Sequence, residues 1–233
     1  MTRKSKTLGL VLGAVLALSA VTASAASAGN HIFQSHVTPL ILTGENTMGS
    51  NQIFGLTEKY DVSCSKVKVN GTETGTEREE TTVHPVYNNE EATCSVPLLA
   101  GLTARVITAG CNFSLTGVTN EKSHASLHIE CEGGKSIYIE PKLGCLAKIP
   151  EQTVSGVNYT NKEPSGTTSK TIKVSITADG LNWQVFGGNC DLLGLKDGQT
   201  GTKGWIFGDF TLKGYVDEES VEGAQTGIWT TES

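Results

Sequence analysis

The sequence predicts an all-β fold, an antiparallel sandwich or jelly roll that is stapled by disulfides. Short runs of alternating apolar and polar residues, rich in Thr, Ser and Val, are separated by Gly, Asn and Asp. After Val21, no run of ten or more residues has the 3.6-residue apolar period of a helix. Six cysteines are spaced in a way that favours disulfides.

The N-terminal segment, residues 1–28, predicts a cleaved signal peptide and export from a bacterial cell. Three basic residues precede an apolar run from Leu8 to Val21, and a small-residue cleavage signal ends at Ala28. That run holds about 14 residues, fewer than the roughly 20 that a membrane-spanning helix needs. The mature chain, residues 29–233, is expected to be secreted, to have no membrane span and to form a single β-rich domain, with two small β domains as the alternative.

The charge of the mature chain argues against nucleic acid as a partner. Residues 1–28 carry three of the 18 basic side chains and none of the 24 acidic ones, so their removal changes the net charge from −6 to −9. Binding to phosphate depends on clustered Lys and Arg. An acidic balance of this size mainly favours solubility.

All six cysteines lie in the predicted mature part, and an even number in an exported chain favours three disulfides. A zinc site or a thioredoxin-like redox site would need close pairs such as CxxC. The smallest interval here is 14 residues, so neither metal nor redox cofactor is expected. Complete pairing would also leave no thiol as a nucleophile. The cysteines are Cys64, Cys94, Cys111, Cys131, Cys145 and Cys190.

One pairing follows from strand register. Odd-numbered positions carry the apolar residues and cysteines of two neighbouring predicted strands: Cys111, Phe113 and Leu115, then Leu127, Ile129 and Cys131. The register that opposes Cys111 with Cys131 buries every one of these side chains on one face. Directly opposed Cβ atoms are near the separation that a disulfide requires. We therefore expect a disulfide between Cys111 and Cys131.

The following hairpin is expected to turn through a three-residue loop, Gly133 to Lys135, which opposes Cys131 with Ile137 and keeps the apolar face intact. By elimination, Cys145 then pairs with Cys190 and Cys64 with Cys94, among the 15 connectivities that six cysteines allow. Turns are predicted at three dipeptides that suit positive φ: Asn70-Gly71, Gly133-Gly134 and Asp179-Gly180.

No catalytic or metal motif is present. The chain has no GxSxG, HExxH or P-loop, so catalytic residues are not assigned. His124 and His128 would lie about 13 Å apart on a strand and could not share one ion. His31 and His36 lie near the start of the mature chain, where disorder is common. The chain has many scattered carboxylates, so a glycoside hydrolase activity stays possible, because that chemistry needs only two carboxyl groups that the fold brings together.

The three tryptophans, Trp183, Trp205 and Trp229, have two interpretations. Indole rings usually bury their large apolar area in the core or at its margin, and this interpretation is preferred. Alternatively, exposed indoles on a β-sandwich stack on sugar rings.

Several segments together resemble a family of exported proteins from soil actinobacteria. They are "LTGENTMGSNQIFGL" before Cys64, "VHPVY" before Cys94, "CEGGKSIYIE", "CLAKIPEQTVSGVNYTN" and "GDFTLKGYV" with "GAQTGIW" near the end. The resemblance covers about Thr38 to Trp229, and Cys145 to Gln152 is its most specific part. The family has no assigned activity, so the resemblance implies secretion and a β-rich fold and transfers no catalytic residue.

These observations favour an exported, non-enzymatic protein with a structural or surface-interaction role. A carbohydrate-binding module is the alternative, and a secreted glycoside hydrolase is the third possibility. The expected partner is a cell-surface or extracellular polysaccharide or protein, and no cofactor is expected.

Overall fold

The computed structural model describes residues 31–91, 93–116, 125–161, 171–216 and 228–232. The all-β prediction is confirmed, because the regular elements of these residues are strands and single 3₁₀ turns. The strands are β1 (His31–Ser35), β2 (Leu40–Asn46), β3 (Gln52–Thr57), β4 (Tyr60–Cys64), β5 (Val67–Glu73), β6 (Glu77–Arg78), β7 (Glu80–Tyr87), β8 (Cys94–Ser95), β9 (Thr103–Ile107), β10 (Cys111–Thr116), β11 (Ala125–Cys131), β12 (Ile137–Pro141), β13 (Leu146–Ile149), β14 (Gln152–Asn161), β15 (Thr171–Phe186), β16 (Thr200–Tyr215) and β17 (Ile228–Glu232). The 3₁₀ turns span Asn88–Glu90, Glu132–Gly134 and Cys190–Leu193.

Fourteen of the described strands form one antiparallel sheet that closes on itself, in the order β10-β11-β14-β15-β13-β12-β9-β8-β4-β3-β16-β2-β5-β7. The two longest strands, β15 and β16, also pair with each other. This extra pairing divides the closed sheet into two rings that share the β15–β16 pair. The first ring contains β10, β11, β14, β2, β5 and β7, and the second contains β13, β12, β9, β8, β4 and β3.

The remaining described strands form a small sheet in the order β17-β1-β6. Here the start and the end of the described chain pair in antiparallel register, with His31 opposite Glu232. Phe33 of β1 is buried and its ring meets Tyr159 of β14 edge-on, with centroids 5.1 Å apart. His31 belongs to β1, which has a strand partner on each side.

The buried apolar side chains form one contiguous cluster. Inward residues alternate along the strands, as in β11, where Ala125, Leu127, Ile129 and Cys131 are buried and the residues between them are partly exposed. Burial of each Leu, Ile or Phe side chain stabilises the fold by about 1.5–3 kcal/mol.

The expected register of β10 and β11 is confirmed: Cys111 lies opposite Cys131, and the apolar pairs follow as predicted. The structure contains the three disulfides that the sequence argument favours, Cys64–Cys94, Cys111–Cys131 and Cys145–Cys190. The first joins β4 to β8, which pair at Ser63 and Ser95.

The predicted hairpin between β11 and β12 is wrong. Gly133 and Gly134 form a tight turn with positive φ, but β12 then leaves β11 and pairs with β13 and β9. β14 takes the free edge of β11 and places Gln152 opposite Ile129. Ile137 is fully buried in this arrangement as well, so the apolar pattern does not distinguish the two partners.

Two predicted turns lie inside strands. Asn70-Gly71 belongs to β5, where Asn70 lies opposite Thr43 of β2. Asp179-Gly180 interrupts the register of β15 as a bulge, and Gly180 has a φ of +88°. A bulge and a hairpin turn both need a residue that tolerates positive φ, so the dipeptide alone does not separate them.

A candidate binding cleft with two tryptophans

A depression of about 580 Å³ lies where β3, β15 and β16 meet in the second ring. We call it the tryptophan cleft. Its floor and walls are apolar and its rim is polar. The residues that line it are Leu56, Thr57, Glu58, Trp183, Gly201, Thr202, Lys203 and Trp205.

Trp183 forms the buried side of the tryptophan cleft, and 5% of its surface is exposed. It points inward with Leu181 and Val185, because the bulge at Gly180 shifts the inward positions of β15 from even to odd numbers. Its indole lies against the backbone of Gly201 on β16, where an added Cβ would be 2.3 Å from Trp183 Cζ2. The glycine is therefore required for this close approach.

The indole Nε1 of Trp183 is buried and has no hydrogen-bond partner among the described residues. An unpaired buried donor costs about 1–3 kcal/mol. The site thus keeps an indole where a purely apolar ring would pack without that cost.

Trp205 forms the open side of the tryptophan cleft and is partly exposed. Its backbone lies between Gly55 of β3 and Asp179 of β15. The ring lies over Gly55, since a Cβ added there would be 1.9 Å from Trp205 Cε2. Two residues further along β16, Phe207 has its ring centroid 6.3 Å from that of Trp205 and its plane tilted by 31°.

The rim of the tryptophan cleft carries groups that form hydrogen bonds. Thr57 and Glu58 lie at the turn from β3 to β4, and the Tyr60 N–H donates to Thr57 Oγ1 at 3.2 Å, which holds this turn. Thr202 and Lys203 lie opposite on β16 and are exposed. The rim therefore offers hydroxyl groups, one carboxylate and one ammonium group.

The tryptophans separate into different environments. Trp183 is buried, as the preferred interpretation expects, whereas Trp205 is partly exposed beside an open depression. Trp229 has its backbone in β17 opposite Gln34, and its side chain lies outside the described residues. The sequence pattern predicts neither that Trp183 and Trp205 line one site nor that glycines lie against their rings, although glycine inside a strand is the signal for such a close approach.

His84 and His128 do not line the tryptophan cleft. His84 Nδ1 is 2.9 Å from the carbonyl oxygen of Cys111, and His128 Nδ1 is 3.3 Å from Glu130 Oε1. His124 lies outside the described residues. Within the described part of the chain, no group of three or more His, Cys, Asp or Glu side chains could hold a metal ion.

A second depression, of about 530 Å³, is lined by Glu90, Glu91, Glu140 and Arg105 among others. Arg105 Nη2 donates to Glu140 Oε2 at 2.5 Å, and both side chains are nearly half exposed. A general acid of a glycosidase is instead a carboxyl group kept protonated by apolar surroundings. The arrangement resembles a solvated ion pair more than such an acid.

One buried carboxyl group lies elsewhere. Glu73, at the end of β5, is 8% exposed, and burial raises the pKa of its carboxyl. The Thr81 hydroxyl donates to Glu73 Oε1 and opposes that rise. Neither the tryptophan cleft nor the second depression includes Glu73.

Among the described residues, no helix is long and apolar enough to cross a membrane. No protein-family model matches the chain, and neither a curated protein nor a solved structure matches it.

Proposed function

We propose that this chain is an exported, non-enzymatic protein with a surface-interaction role, and that it binds carbohydrate in the tryptophan cleft. The observation that carries the proposal is the position of Trp183 and Trp205 around one depression. Its volume of about 580 Å³ lies within the range of about 300–1,000 Å³ that is usual for ligand pockets.

The chemistry of the tryptophan cleft suits a sugar. A pyranose ring has flat C–H faces and hydroxyl groups at its edges, and an indole offers a flat apolar surface with a polar tip. Trp205 is exposed enough to contact such a face. Thr57, Glu58 and Lys203 stand at the rim, where they can accept from or donate to the edge hydroxyls.

The same groups support binding rather than hydrolysis. Glycoside hydrolysis uses two carboxyl groups on either side of the scissile bond. Among the residues that line the tryptophan cleft, Glu58 supplies the one carboxylate.

Export is supported by the disulfides. All six cysteines are paired. Disulfides persist in oxidising compartments outside the cytosol. Together with the signal-peptide pattern of residues 1–28, this favours a secreted protein.

A pull-down with insoluble polysaccharides tests the proposal. The mature protein, with its disulfides intact, is incubated with cellulose, with chitin and with bacterial cell walls. We expect saturable binding to at least one of them and an affinity about tenfold lower for Trp205→Ala, which corresponds to about 1.4 kcal/mol.

Tyr138→Ala is the matched control, because Tyr138 is a partly exposed aromatic residue on β12 that does not line the tryptophan cleft. It should bind as the wild type does. If none of the three materials is bound, or if both variants lose affinity equally, the proposal is wrong.

A further inference from the structure

Trp205 also belongs to an aromatic surface that continues past the tryptophan cleft. Side chains two residues apart on a strand point to the same face, so Phe207 follows Trp205 along β16. Their centroids are 6.3 Å apart with planes tilted by 31°, and 36% of Phe207 is exposed. We call Trp205 and Phe207 the aromatic track.

On the β3 side the aromatic track borders Gly55 and the partly exposed Ile53, and on the β15 side it borders polar residues. Trp205 lies beside Gly55 of β3, which has no side chain to rise above the indole. On the other side, Asp179 lies opposite Trp205 and Thr177 lies opposite Phe207, and both are exposed on β15. Flat apolar rings are thus bordered by a carboxylate and a hydroxyl group.

The aromatic track ends at charged groups. Two residues beyond Phe207, Asp209 forms an ion pair with Lys173 of β15, with Nζ and Oδ2 2.7 Å apart. A ligand along β16 would therefore meet Trp205 at the edge of the tryptophan cleft, then the ring of Phe207, and then a polar end.

We propose that the aromatic track binds an internal stretch of a linear β-1,4-linked polysaccharide, whose chain lies along β16 with successive sugar rings over Trp205 and Phe207. This inference rests on the proposed function and names its ligand class. A β-1,4-linked chain is a flat ribbon with C–H faces and hydroxyl edges, which fits aromatic positions bordered by polar groups.

Other partners fit the aromatic track less well. A stable protein interface buries more than about 1,000 Å² in total, whereas the apolar part of this surface is two rings beside Ile53, with polar side chains on the β15 side. Nucleic acid bases also stack on aromatic rings. However, the net charge of the whole chain is −6, and phosphate needs clustered positive charge.

Isothermal titration calorimetry with short and long oligomers tests the inference. The probes are cellobiose and cellohexaose, and chitobiose and chitohexaose. The wild type should bind a hexamer more tightly than the dimer of the same sugar. Phe207→Ala should lower the affinity for both the dimer and the hexamer of that sugar by about threefold to tenfold, because two successive rings of either oligomer lie over Trp205 and Phe207.

Phe207→Leu separates a loss of binding from a folding defect, because leucine keeps much of the apolar volume but has no aromatic ring. We expect it to lower the affinity for the hexamer as much as Phe207→Ala does. Tyr138→Ala should change neither affinity. If Trp205→Ala weakens both oligomers while Phe207→Ala changes neither, the aromatic track is not a binding surface and the proposed function still stands. If the wild type binds neither series, this inference is wrong, and the pull-down decides the proposed function separately.

Discussion

Gly55→Ala should displace the indole of Trp205 and destabilise the protein. An ideal Cβ on Gly55 would lie 1.9 Å from Trp205 Cε2 and 2.1 Å from Cζ2. Carbon atoms in contact are about 3.5–4.0 Å apart, so the ring or the strand has to move by roughly 1.5–2 Å. Overpacking of this kind costs about 1–3 kcal/mol. The Tm should fall by roughly 2–4 °C for each kcal/mol in a chain of this size.

Thermal unfolding followed by circular dichroism measures the loss, and tryptophan fluorescence reports the displaced indole. Gly188→Ala is the matched control, since Gly188 is an exposed glycine with no atom within 4 Å of an added Cβ. It should unfold as the wild type does. The reasoning is refuted if Gly55→Ala keeps both the wild-type Tm and the wild-type fluorescence.

A double-mutant cycle isolates the contact. In a Trp205→Ala background the ring that an alanine at position 55 would strike is absent, so the cost of Gly55→Ala should fall by at least half. If the two changes are additive, the strain lies in the backbone of β3 and not in the contact with the indole.

Three further outcomes follow from the structure. The double variant Cys145→Ala, Cys190→Ala removes the disulfide that closes a loop of 45 residues. In the chain-entropy model this should lower the free energy of unfolding by about 4 kcal/mol, measured by urea unfolding. The loss should exceed that caused by removing the disulfide between β10 and β11, which closes a shorter loop. Burial raises the pKa of the Glu73 carboxyl in the folded protein above its value in the unfolded chain. The protonated carboxyl therefore contributes its full stabilisation at a pH below the unfolded pKa, and this contribution is lost as the pH rises through the folded pKa. Glu73→Gln, which keeps an acceptor for the threonine hydroxyl, should therefore remove this fall in stability when unfolding is measured across mildly acidic pH. Glu140→Gln breaks the exposed ion pair with Arg105 and should change stability by at most about 1 kcal/mol in the same assay.

The sequence predicts best where the interaction is local. β10 and β11 follow each other in the chain, and one register satisfies both the apolar alternation and the cysteines. A shift of one residue would expose Phe113 and Ile129, so the alternatives are strongly disfavoured. Once Cys111 and Cys131 are paired, few connectivities remain for the other four cysteines.

Prediction fails where partners are distant in the chain. β12 presents Ile137 and Ile139 to the core whichever strand lies beside it, so its pairing with β9 and β13 has no signature in its own sequence. The first half of β16 has no clear strand pattern in its sequence, for a different reason. Its glycines, Gly201 and Gly204, weaken the strand pattern because they serve close approach to Trp183 and not strand propensity.

The dipeptide Asp179-Gly180, which the sequence predicts as a turn, is a bulge in β15 that positions a residue of the candidate site. Up to Ala178, the even-numbered residues of β15 point inward, and without a register change Trp183 would point outward beside Thr177 and Asp179. The bulge at Gly180 adds one residue, so that Leu181, Trp183 and Val185 are buried. Asp-Gly is read from sequence as a hairpin end, whereas the strand here continues along β16 and changes which face carries the indole. The tryptophan cleft therefore exists because a dipeptide typical of turns is used in the middle of a long strand.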